Sequence, residues 1–182
     1  MNDQAAPDWE VFAIRYASNQ RLRSQNFIMH DGHDGPMPID FYVWLLRAPG
    51  RLILVDTGFG EAAAKERDRT LRRCPIAALA ALGVAPGDVT DVIITHLHYD
   101  HAGNLGKLPK ARFHVQDAEV DFATGRCMCH APMRHAYSVH DVTDLIRHVY
   151  ADRVVFHQGD DLIAPGVELL LIGGHTKGLQ SV

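Results

Sequence analysis

The segment Thr95-His96-Leu97-His98-Tyr99-Asp100-His101 places three imidazoles and one carboxylate within six residues. It follows the apolar run Val92-Ile93-Ile94 and precedes Ala102-Gly103-Asn104. Where a strand runs out into a loop, alternate side chains share a face, so His96 and His98 point the same way and can grip one cation. Asp100 and His101 come from the following turn and offer an oxygen and a further nitrogen. One metal cannot take all four donors from so short a segment. Two neighbouring metals can, with His96 and His98 on one and Asp100 and His101 on the other. Neutral imidazole with carboxylate suits zinc, and Fe(II) or Mn(II) fit the same donors. Two such cations about 3.5–4 Å apart bring the pKa of water between them toward neutrality. The chemistry this implies is hydrolysis of a carbonyl compound without a protein nucleophile, and the chain has no Gly-x-Ser-x-Gly elbow.

The elements that must position these residues follow from the apolar pattern. Glu10 to Tyr16 reads as a strand, and Phe41 to Leu46 with Leu52 to Val55 as a hairpin closed by Asp56-Thr57-Gly58-Phe59-Gly60. Glu61 to Arg73 reads as an exposed helix, and Ile76, Leu79, Ala80 and Leu82 as a buried helical face stopped by Gly83. Val89 to Thr95 is a near-continuous apolar strand of the kind buried on both faces. Then come a strand at Arg112 to Val115, a helix at Gln116 to Ala123, an irregular stretch at Gly125 to Ser138 and a helix at Val139 to Tyr150. Val154 to His157 and Gly166 to Ile172 are strands, the second ending in Gly173-Gly174-His175-Thr176-Lys177-Gly178. The expected fold is α/β of the α+β type, a mixed sheet covered by helices with the chemistry on loops at strand ends. At 182 residues the chain suits one sizeable core better than two domains.

His96-x-His98-x-Asp100-His101 resembles the signature of the metallo-β-lactamase superfamily. Leu54-Val55-Asp56-Thr57-Gly58 looks like that family's upstream strand-plus-Asp motif, and Gly174-His175-Thr176-Lys177-Gly178 resembles its downstream Gly-His-Thr-Pro-Gly motif. Gly35-Pro36-Met37-Pro38-Ile39-Asp40-Phe41 and Gln180-Ser181 look most like N-acyl-homoserine-lactone lactonases and related small-lactone hydrolases, the quorum-quenching type. The resemblance implies a single αβ/βα sandwich domain over 1–182 with a dinuclear site on its edge. It implies that His96, His98 and His175 hold the first metal, and Asp100 and His101 the second. Asp56 would orient a ligand histidine or the ligand loop, and Asp100 would also pass a proton. The implied function is opening of a lactone or ester, with a glyoxalase II-like thioesterase as the alternative. The family further places a bridging Asp and a late His after the third motif, and neither falls within the 182 residues. The sandwich's second half is therefore expected to be incomplete, and the chain truncated. The second metal site would then be weak, and a non-catalytic metal-binding fragment is the rival reading. Lys177 stands where the family's motif has Pro.

Composition narrows the partners. With 22 acids against 18 bases the net charge is −4, and Arg67, Arg69, Arg72 and Arg73 are interspersed with acids, so nucleic acid is not indicated. Three cysteines without framework spacing favour a reducing compartment, and the polar, acidic start lacks signal-peptide blocks. No run approaches the roughly 18 apolar residues of a membrane span. A cytoplasmic protein acting on a small molecule is expected. Among the 12 histidines, His30 and His33 read as loop residues, and His148 and His157 as surface residues. His114 reads as a satisfied strand histidine, and Cys127, Cys129 and His130 as a loop near the site mouth. Trp44 and Phe41 are expected in the core.

Overall fold

The computed structural model describes residues 6–29 and 32–182; His30 lies outside the described residues. Strands β1 (Glu10–Asn19), β2 (Ile39–Ala48) and β3 (Arg51–Val55) form an antiparallel meander. From β3 the sheet continues in parallel through β5 (Asp91–Ile93), β6 (Arg112–Gln116) and β7 (Val154–His157). The short β4 (Thr70–Leu71) pairs with the far edge of β1, giving the order β4-β1-β2-β3-β5-β6-β7. A second, antiparallel sheet holds β8 (Asp161–Ala164), β9 (Val167–Leu171) and β10 (Gln180–Ser181).

The apolar run before the histidine cluster is apolar because it serves two interfaces. Val92 faces a large core with Leu54, Phe113 and Leu145, on the helical side of the sheet. Its neighbour Ile93 faces a smaller core with Ile53, Val55, Val167 and Leu169, between the two sheets. The helical side is built from α1 (Glu61–Glu66), α2 (Pro75–Ala78), α3 (Asp117–Thr124), α4 (Ala131–Arg134) and α5 (Val139–Tyr150). The Ser138 hydroxyl caps α5 by accepting the Asp141 N–H at 3.4 Å, and Val142 and Leu145 form its buried stripe. Among the described residues no helix contributes to the core between the sheets. No helix of the described chain is long and apolar enough to cross a membrane.

Three expectations change. The helix foreseen over residues 61–73 ends at Glu66, because Asp68 turns through φ 52° and Thr70–Leu71 leave as an edge strand on β1. Trp44 is 43% exposed and outside the core, since it alternates with the buried Val43 and Leu45 and faces the open end of the gap between the sheets. His157, expected at the surface, is buried in a polar diagonal crossing three parallel strands. Asp91 Oδ1 lies 3.0 Å from His114 Nε2, His114 Nδ1 lies 3.0 Å from His157 Nε2, and His157 Nδ1 lies 2.7 Å from Asp161 Oδ2 on β8. Asp91 is also held by Arg112 and Arg51, and its carboxyl sits well below the usual range through its hydrogen bond to His114, then Thr90 and Arg112. This diagonal ties the second sheet to the first.

Candidate metal centre

The histidine loop leaves β5 at the end of the parallel strands, where strand-end loops collect chemistry. It is clamped against the loop after β3. The Thr57 N–H donates to His101 O at 2.7 Å, and the Gly103 N–H to Gly58 O at 2.7 Å. A Cβ on Gly103 would lie 2.6 Å from Gly58 O, so only glycine lets the two loops approach this closely.

Asp56 sits at the centre of this clamp, nearly buried. Its Oδ1 accepts the Thr95 N–H at 2.8 Å, and the Thr95 hydroxyl donates to the same carboxylate at 2.9–3.0 Å. Its Oδ2 accepts from His101 Nδ1 at 2.7 Å. That contact leaves His101 Nε2 as the outward nitrogen, 3.6 Å from Asp100 Oδ2. Thr95 acts on His96 by the same logic. Its single hydroxyl hydrogen is spent on Asp56, so toward His96 Nδ1, 3.1 Å away, it accepts. The ring's hydrogen therefore lies on Nδ1, and the Nε2 lone pair points into the cluster. That Nε2 is buried and has no hydrogen-bond partner.

His96, His98 and His175 converge, with one ring nitrogen from each lying within 4.8 Å of the others. A tetrahedron with zinc–nitrogen bonds of about 2.0–2.1 Å has an edge of about 3.4 Å, within reach of small ring rotations. The orphaned Nε2 of His96 and the all-imidazole donor set fit a zinc-type cation. The His96 and His101 rings are 4.0 Å apart between centroids, so the Asp100–His101 pair adjoins the trio. Burial, then the neighbouring imidazoles of His101, His98 and His175, brings His96 down to about 2. Burial, then His175, His101 and Arg67, brings His98 down to about 4. Both are therefore neutral at neutral pH, the state a metal requires. Burial would lower His101 as well, but Asp56, Asp100 and Glu119 outweigh it and hold the ring at about 9.

The structure thus brings His96, His98 and His175 to one point, sets Asp100 beside His101, and places Asp56 on the far nitrogen of His101. Among the described residues Cys127, Cys129 and His130 join no ligand group. Thr95 and Glu119 are marked by no motif, yet both touch the ligand loop. Glu119 is recognisable in the sequence only as an acid four residues before the buried Ala123, on the same helical face.

The Metallo-beta-lactamase superfamily model matches residues 42–182. An N-acyl homoserine lactonase of a Bacillus species is 30% identical over 165 residues, covering 79% of this chain and 58% of that protein. A probable metallo-hydrolase of Mycobacterium tuberculosis is 28% identical over 171 residues, covering 78% of this chain and 51% of that protein. The chain spans a little over half the length of these relatives. Among solved structures, a quorum-quenching N-acyl homoserine lactone lactonase superposes with a TM-score of 0.75 at 25% identity, covering 98% of this chain and 68% of that one. AidC, described as a dizinc quorum-quenching lactonase, shares the fold with a TM-score of 0.68 at 19% identity, covering 97% of this chain and 67% of its own.

Proposed function

The chain belongs to the metallo-beta-lactamase superfamily, and on that premise we propose that it acts as a metal-dependent hydrolase of a lactone or ester, with N-acyl homoserine lactones as the substrate class. The observation that carries this is the convergence of His96, His98 and His175, with the buried Nε2 of His96 otherwise unpartnered. These three residues would hold one cation, and Asp100 with His101 a second. Bound there, two divalent cations would bring the pKa of a bound water toward neutrality and supply an electrophile for the carbonyl oxygen.

The chain's own residues do the rest. Asp56 takes the Nδ1 hydrogen of His101 and fixes which nitrogen faces the site. Thr95 does the same for His96. Burial keeps His96 and His98 in their neutral, donating form. The Asp100 carboxylate, only partly buried and 3.6 Å from His101 Nε2, would pass a proton to the leaving oxygen as it departs.

The test is zinc content by mass spectrometry with hydrolysis of a panel of homoserine lactones and thioesters. Lactone opening that stops on chelation and returns with zinc is expected; opening that persists after exhaustive metal removal would sink the proposal. Faster turnover of thioesters would move the substrate to the glyoxalase II type. His98→Ala removes a direct ligand, so zinc affinity and hydrolysis should each fall by at least about 100-fold, the upper end of what losing a ligand's hydrogen-bond partner costs.

A further inference from the structure

Glu119 is fully buried in the first turn of α3. Its Oε1 accepts the Leu97 N–H at 2.8 Å and the Tyr137 hydroxyl at 3.2 Å. Its Oε2 accepts the Gly178 N–H at 3.1 Å. Leu97 lies between His96 and His98, and Gly178 follows His175 by three residues. The Tyr137 ring meets the His98 ring edge-on, with centroids 4.7 Å apart. One carboxylate thus holds both loops that deliver imidazoles, together with the ring packed on one of them.

The contact with the second loop is as close as backbone allows. A Cβ on Gly178 would lie 2.2 Å from Glu119 N, so the loop after His175 seats directly on the first turn of α3. A second tie runs parallel to this one, from the Gln180 N–H to Thr95 O at 2.9 Å. Both backbone neighbours of His96 are therefore referred to the segment after His175, one directly and one through Glu119. Donors approach both oxygens of Glu119, and only a carboxylate accepts at both. An amide would keep Leu97 and Tyr137 on its oxygen and turn its NH₂ on the Gly178 N–H, donor against donor.

We propose that Glu119 is a positioning residue of the metal centre, fixing the distance between the His96–His98 pair and His175 through their backbones. This rests on the reading that those three imidazoles hold a cation. The experiment is a double-mutant cycle on zinc affinity, measured by competition with a chromophoric chelator, with Co(II) absorption as the spectroscopic readout. Glu119→Gln is expected to weaken zinc binding about 10–100-fold, as loss of an outer partner does, and to alter the Co(II) bands. His175→Ala alone should weaken binding at least as much. The pair together should be no weaker than His175→Ala, because Glu119 works by placing His175. If Glu119→Gln leaves affinity within twofold, or its loss adds in full to that of His175→Ala, the proposal fails. If His175→Ala changes nothing, the metal reading fails instead. Should Glu119→Gln not fold, the cycle is run with Glu119→Asp, whose shorter carboxylate reaches one loop but not both. If neither variant folds, Glu119 serves the fold, and the proposal is overturned.

Discussion

Asp56 adopts a left-handed backbone, φ 62°, which a non-glycine residue holds at a cost of about 1–2 kcal/mol unless it gains local hydrogen bonds. It gains four contacts, to the Thr95 amide, the Thr95 hydroxyl through both oxygens, and His101. Asp56 therefore shapes the turn and aims its carboxylate at Thr95 and His101. Asp56→Asn tests the second part. Asparagine keeps the backbone and one acceptor, which the Thr95 amide will take, and presents NH₂ toward His101 Nδ1. Zinc binding at Asp100 and His101 should fall about 10–100-fold, while the site of His96, His98 and His175 stays within twofold. Isothermal titration of the metal-free variant resolves the two.

The polar diagonal from Asp91 to Asp161 is the feature of the strands that the sequence hides best. His114 and His157 are 43 residues apart and look unrelated until β6 and β7 pair. His114→Ala opens a cavity and strips partners from two buried groups. The expected loss is about 2–3 kcal/mol in urea unfolding, with zinc affinity unchanged because the site is reached only through the backbone of this strand. Other elements were plain in the sequence. The span of α5 matches its apolar period, with Ser138 as its cap and Val142 and Leu145 buried. The metal loop was legible because four donors crowd one turn, whereas His175 lies 74 positions beyond His101 and was visible only through its family-like glycines. Glu119 left no such trace. One acid on a short amphipathic helix looks like any surface acid until the loop it holds is folded over it.

For the whole molecule, the histidine cluster lies at one end of the gap between the sheets. A cavity of about 610 Å³ opens there, with His96 and His101 at its polar end and Trp44, Leu46 and Ile172 on its apolar wall. Burial at this junction gives the metal-free protein a defined pH response. His96 and His98 are held neutral, so as pH falls below 6.5 the unfolded chain takes protons that the folded one refuses, and stability drops. His101 works in the opposite sense. Held at about 9, it contributes stability that is complete below 6.5 and is lost as pH climbs through 9. With chelator present, the urea midpoint should therefore be highest near pH 6.5 and lower at about pH 4.5 and about pH 9. A midpoint that rises from 6.5 to 9 would contradict the His101–Asp56 pairing. Zinc should flatten the profile on its acid side down to about pH 6, where His96 and His98 donate without losing a proton first.

The separation of His98 from His175 also sets a schedule. A chain made at about 5–20 residues per second carries His96 and His98 for about 4–15 s before His175, the third imidazole of their trio, exists. Once residue 119 is made Leu97 can meet Glu119, but Gly178 has not been synthesised. Capture by the His96, His98 and His175 trio thus belongs to chains grown past residue 178, and until then that trio offers only two of its three imidazoles.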